Sequence, residues 1–186
     1  MKRIVSLGLA AALAFAAPVF AQQPAAAPAA PASAVKANPA DVASVDAIVA
    51  ALYDVISGPA GQPRDWNRMR SLFAPEGGLR AVAQRPDGSI VTRHMSVEDY
   101  ISRNSPAFEK MAFFEREAAR SSEQFGQIVH VFSTYESRHE PKGEPFQRGI
   151  NSIQLYNDGQ RWWIASVLWR GADDKLKLPE RYLKNN

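Results

Sequence analysis

At 186 residues, 46% of them hydrophobic, the chain is long enough for one domain with a real core. With no cysteine it offers neither disulfides nor a lipid-bearing Cys. The formal charge of +3 falls to +1 without Lys2 and Arg3, 20 basic side chains against 19 acidic, and no basic block stands out as a footprint for nucleic acid.

Met1 to Ala21 has the three parts of a secretory signal: Lys2 and Arg3, an apolar run from Ile4 to Ala17, and Pro18-Val19-Phe20-Ala21, with cleavage expected after Ala21. The run is short of the ~20 apolar residues of a membrane span, and nothing later is longer. The expectation is a soluble periplasmic or secreted protein with no membrane span after cleavage. Residues 22–40, rich in Ala, Pro and Gln and interrupted by Pro24, Pro28, Pro31 and Pro39, read as a disordered tether. Residues 41–186 read as a single domain.

That domain opens with helices. Asp41 is placed to cap the first, whose Val42, Val45, Ile48, Val49, Leu52 and Ile56 recur at spacings of three and four until Gly58-Pro59 stops it. Asp65 is placed to cap a second, with Trp66, Met69, Leu72 and Phe73 on one face and Ala74-Pro75 at its end. A hairpin follows, Leu79 to Gln84 and Ile90 to Met95, about the turn at Pro86-Asp87-Gly88. Ser96 with Asp99 marks the start of a third helix, carrying Val97, Tyr100 and Ile101 inward, which Pro106 is expected to interrupt.

The rest reads as strands: Ala112 to Arg120, Gln127 to His139, Phe146 to Tyr156 and Gln160 to Arg170, the last two joined by the hairpin marker Asn157-Asp158-Gly159. Lys175, Lys177, Arg181 and Lys184 read as a solvated tail. Helices first and a long antiparallel sheet afterwards is the α+β pattern.

From Asp41 to Arg170 this order resembles the nuclear transport factor 2-like superfamily, which includes ketosteroid isomerases and SnoaL-like cyclases. The resemblance is carried by Asp65-Trp66 to Phe73-Ala74 and by Asp158-Gly159 with Trp162-Trp163-Ile164 and Trp169. Arg148-Gly149-Ile150-Asn151-Ser152 is similar to uncharacterised exported bacterial members. The resemblance implies a cone-shaped fold, a curved antiparallel sheet packed on about three N-terminal helices around a pocket, and usually a homodimer. It carries no function by itself. Where a ketosteroid isomerase has its first-helix Tyr this chain has Ile48. An Ala or a neighbouring Arg stands at the base position after the second helix, and Ser152 stands near the acid. Isomerase chemistry is not expected.

No phosphate loop, dinucleotide loop or nucleophile elbow is present, and His94, His130 and His139 lack metal-ligand spacing. No cofactor is expected. On one face of the strand from Gln127 lie His130, Phe132, Thr134, Glu136 and Arg138, and on the other Val129, Val131, Ser133 and Tyr135. His130 and Glu136 are the catalytic candidates. The bland readings are a satisfied core histidine and a cross-strand ion pair of Glu136 with Arg148. Glu115 and Glu117 carry the same ambiguity.

Arg148 and Asn151 are the leading ligand-binding candidates, a charged fork and an amide in a strand destined for burial. Their opposite parity lets them share a face only if Gly149 marks a bulge. His130, Trp163 and Tyr53 complete the ligand-binding set. Simple alternation puts Trp163 and Trp169 on one side and Trp162 on the other, one side being core and the other covered by a second copy. The expected function is binding of a small apolar or mixed organic ligand. The alternatives are a cyclase, isomerase or dehydratase using His130 and Glu136, or a protein-interaction module using the sheet face.

Overall fold

The computed structural model describes residues 35–184. The expected signal, and the tether as far as residue 34, lie outside them. The tether was expected to continue through Ala40. Instead Pro39–Val42 forms a 3-10 turn capped by Asn38, and Ala37 packs against the core. Pro at the start of a turn loses no hydrogen bond that would otherwise be made, so here it favours order.

Helix α1 is Val45–Ile56, α2 is Trp66–Leu72 and α3 is Val97–Lys110. Ser44, not Asp41, caps α1 by accepting from the Ala47 N–H. Asp41 is buried in the preceding turn and takes a two-pronged hydrogen bond from Arg68 of α2 (2.7 and 2.9 Å). Asp65 caps α2, and Ser96 and Asp99 form the reciprocal capping box of α3.

Pro106 does not interrupt α3. It sits on the exposed side, while Phe108 beyond it is buried and stacks on Phe113 with ring centroids 4.8 Å apart. That packing holds the last turn against the cost of a missing N–H.

Six strands form one sheet in the order β2-β1-β6-β5-β4-β3: β1 Phe73–Gln84, β2 Ile90–Ser96, β3 Phe114–Phe125, β4 Ile128–Arg138, β5 Gln147–Asn157 and β6 Trp162–Gly171. All pairs are antiparallel except β1 with β6. The sheet is curved, and the core fills its hollow, with Ile48 of α1, Met69 and Leu72 of α2, and Val131, Ile153 and Ile164 of the sheet all excluded from solvent.

Besides a shift in β1 between Phe73 and Gly78, irregularities in β3 and β6 help decide which side chains face that hollow. In β3 the register with β4 shifts between Glu117 and Ala119, leaving Ala118 as an extra residue. In β6 the register with β5 passes from Ser166 to Ile164, leaving Ala165 extra. Each bulge reverses the facing of every side chain beyond it. Trp162 and Trp169 therefore both pack against the core, and Trp163 lies on the outer face opposite Tyr156. This corrects the pairing of Trp163 with Trp169 that simple alternation predicts.

The C-terminal segment is not a free tail. Thr134 of β4 donates its hydroxyl to the Tyr182 carbonyl, and the Tyr182 ring lies 5.0 Å from that of Phe132, so the segment covers part of the outer face. Among the described residues no helix is long and apolar enough to cross a membrane.

Candidate functional site

Between the helices and the inner face of the sheet lies a cavity of about 770 Å³, within the range of small-molecule sites. Its walls are largely apolar, from Leu52, Leu79, Met95, Phe108, Val167 and Trp169. Polar groups enter it from α1 (Tyr53), α3 (Tyr100), β3 (Glu115), β4 (Tyr135, Ser137) and β5 (Asn151).

Tyr53 stands at the centre of a directed hydrogen-bond chain. Ser133 donates to Glu117 Oε1 at 2.6 Å, which spends its one hydrogen. The Tyr53 hydroxyl, 2.7 Å from Ser133 Oγ, must therefore be the donor in that pair, and its oxygen accepts from Asn151 Nδ2 at 3.0 Å. The chain ends on a carboxylate gripped by Arg120 through both oxygens (2.7–3.1 Å). Burial raises the Tyr53 phenol well above its ordinary value, against the lowering effect of Ser133 and Asn151. Tyr53 is thus a neutral strut whose hydrogen points away from the cavity.

Glu115 is the titratable group of the cavity. Burial pushes its carboxyl up from 4.5 to about 7, against the lowering effect of hydrogen bonds from Ser137 and Asn151. Ser137 donates to its Oε2 at 2.7 Å, and its backbone is fixed by Ser57 at the end of α1, which accepts from the Glu115 N–H at 2.9 Å. A carboxyl that titrates near neutrality can donate a hydrogen bond when protonated and accept a proton when ionised. Tyr100 and Tyr135 are close enough for the Glu115 charge to act on both, and burial raises both phenols, Tyr135 to about 12. Both stay neutral donors, and among the described residues neither hydroxyl has a hydrogen-bond partner.

Of the catalytic and ligand-binding candidates Tyr53, His130, Glu136, Arg148, Asn151 and Trp163, the structure brings Tyr53 and Asn151 together on the cavity wall and leaves the other four outside it. His130 and Glu136 lie on the outer face, because the inward positions of β4 are Val129, Val131, Ser133, Tyr135 and Ser137. His130 is half-buried and its Nε2 is 3.0 Å from Ser152 Oγ. Glu136 receives Arg116, Arg138 and Arg148 at 3.0, 2.5 and 3.0 Å. Burial alone would raise Glu136, but the three guanidiniums outweigh it and hold the carboxyl below its ordinary value.

Arg148 thus belongs to an ion-paired cluster on the outer face, and Trp163 carries Arg161 over its ring (3.6 Å) on that same side. Arg148 and Asn151 do not share a face. No bulge occurs at Gly149; it is small because a methyl group there would stand 2.6 Å from the Tyr135 hydroxyl. Simple alternation back from the Gly126 turn would set Glu115 opposite Arg138, facing outward. The Ala118 bulge sets it opposite Ser137, facing in.

Helices closing the hollow of a curved sheet in which β1 runs parallel to β6 are the nuclear transport factor 2-like architecture, as the element order implied. No family model and no curated protein matches the chain. Among solved structures it is similar to an NTF-2-like protein of unknown function from Silicibacter pomeroyi DSS-3, at 16% identity over 69% of this chain and 93% of that one, with a TM-score of 0.47. An NTF2-like protein of unknown function from Methylobacillus flagellatus KT is 12% identical over 70% and 95% of the two chains (TM-score 0.44). A protein of unknown function with a cystatin-like fold from Nostoc punctiforme PCC 73102 is 14% identical over 62% and 81% (TM-score 0.44). Likenesses this distant carry no function.

Proposed function

We propose that the domain binds a small, largely apolar organic molecule in the cavity, with one oxygen-bearing group of that molecule directed at Glu115, Asn151 and Tyr135. The observation that carries this reading is an apolar chamber whose polar groups converge from three adjacent strands. Pockets that orient an apolar body by a few placed polar groups are the common form of small-molecule site.

Trp169 lines the chamber and meets Tyr100 edge-on, with ring centroids 6.4 Å apart, so intrinsic fluorescence reports occupancy. Titration with methyl laurate should change the emission saturably, and Trp169→Phe should remove most of that change. An emission unaffected by this uncharged amphiphile would count against the reading.

A second reading, catalysis in the same chamber, is favoured by Glu115 titrating at about 7 beside two neutral tyrosines. It moves the acid–base role from His130 and Glu136 to Glu115. Its test is Glu115→Gln, which should keep binding and abolish turnover of any compound found to be converted.

The proposal includes export, supported by the charged start, apolar run and Ala21 of the leader. It includes a homodimer formed through the part of the outer face that Tyr182 leaves open, where Ile128 and Leu168 are exposed. Sedimentation at micromolar concentration tests the dimer, and a monomer would refute it.

A further inference from the structure

Three exposed arginines stand where the cavity meets solvent. Arg85, Arg93 and Arg103 all line it. Arg93 stands on β2 opposite Ala81, Arg85 follows β1 at the hairpin turn, and Arg103 lies one turn beyond Asp99 on α3, which packs against both strands. Elsewhere Arg68, Arg70, Arg116, Arg120, Arg138 and Arg148 each have a carboxylate partner. Among the described residues the side chains of these three form neither an ion pair nor a hydrogen bond. Asp99 is near enough for the Arg103 charge to act on it, but it forms no ion pair with Arg103 and takes its hydrogen bonds from the Ser96 N–H and hydroxyl, as Asp87 takes its own from Ser89.

Charge is also separated along the cavity. Glu115 stands on β3 and Arg93 on β2, the two edges of the six-stranded order, five strand spacings apart, or roughly 24 Å measured along the curved sheet. Apolar wall occupies the interval, with Leu79 and Met95 on the hairpin, Val167 and Trp169 on β6, and Phe108 on α3. A guanidinium is a planar, permanently charged fork that matches a carboxylate or phosphate. An anion placed at Glu115 instead would meet a carboxyl that ionises near neutrality.

We propose, building on the ligand-binding reading above, that the ligand is an elongated amphiphile with an anionic head. The head is held by Arg85, Arg93 and Arg103 at the mouth, and the apolar body runs inward so that its uncharged end meets Glu115 and Asn151. The shared chemistry is a terminal anionic oxygen group, carboxylate or phosphate, on an aliphatic or alicyclic body.

The test compares laurate, lauryl phosphate and methyl laurate by calorimetry on the wild-type domain and on the triple variant Arg85→Ala, Arg93→Ala, Arg103→Ala. At low salt the wild type should bind laurate or lauryl phosphate about tenfold or more tighter than methyl laurate, as expected for charge-assisted recognition. The preferred anion identifies the head group. The triple variant should lose that preference and keep its affinity for methyl laurate, which also reports that it is folded. Added salt should weaken only the anions. Equal binding of acid and ester by the wild type, or a preference that survives in the triple variant, would overturn the anionic head and leave the cavity reading intact. No binding of any of the three would overturn both.

Discussion

Asn151 of β5 donates its side-chain N–H to the Tyr53 hydroxyl of α1 at 3.0 Å, tying the sheet to the helix beneath the cavity. Through Ser133 the same hydroxyl reaches Glu117 and Arg120. Three elements, α1, β4 and β5, thus meet at one phenol oxygen, and β3 joins them through Ser133.

Tyr53→Phe should therefore destabilise the domain more than the loss of one exposed hydroxyl would. It leaves Asn151 without its acceptor and Ser133 without its donor in a buried setting, a cost of about 1–3 kcal/mol. Urea unfolding of the variant measures it. Since the Tyr53 hydrogen points away from the cavity, affinity for methyl laurate should change little, which separates a strut from a ligand contact.

Glu115 makes stability depend on pH in a defined direction. Its native value of about 7 lies above the ordinary 4.5, so between these the folded chain holds a proton that the unfolded chain has released. The contribution is full below about pH 4.5 and is lost as pH rises through about 7, at most about 3 kcal/mol in total. Glu115→Gln should match the wild type in acid and melt higher at pH 8. A wild type whose stability is flat across this window would show that Glu115 is not held neutral.

The Glu136 cluster supplies a graded series. Arg138 is buried, with 9% of its side chain exposed, whereas Arg148 is 51% exposed. Arg138→Ala should cost about 2 kcal/mol, less than for an isolated buried pair because two guanidiniums remain. Arg148→Ala should cost under about 1 kcal/mol and leave ligand binding untouched. Because Glu136 is held below its ordinary value, this contribution is present at neutral pH and is lost as pH falls through the native value. Thermal melts of the two variants at pH 7 and pH 3 test both statements. Weakened binding in Arg148→Ala would return that residue to the site.

Much of the framework was legible because its cues are local. The Asp65 cap, the Ser96–Asp99 box and the turns at Gly88 and Gly159, both with positive φ, each depend on a few neighbouring residues. The site was less legible because its facing is decided by bulges at Ala118 and Ala165, where a small residue gives no sign that alternation will reverse. The pairing of Trp163 with Trp169 failed at Ala165, and the facing of Glu115 is set by Ala118. Alternation was sound along β4 and β5, which pair without a shift, and there it set His130, Glu136 and Arg148 apart from Tyr135 and Asn151. The Arg116 contact to Glu136, and the Tyr182 carbonyl on Thr134, join segments whose meeting depends on the finished sheet.

The central claim is that the cavity is a binding site, and filling it is the most direct test. Ala81 lines the chamber on β1, paired with Trp169, and a larger side chain there projects into the space. Calorimetric titration of Ala81→Phe with methyl laurate should show binding lost or weakened at least about tenfold, while the variant melts within a few degrees of the wild type. Unchanged affinity in a folded Ala81→Phe would place the ligand elsewhere and contradict the account.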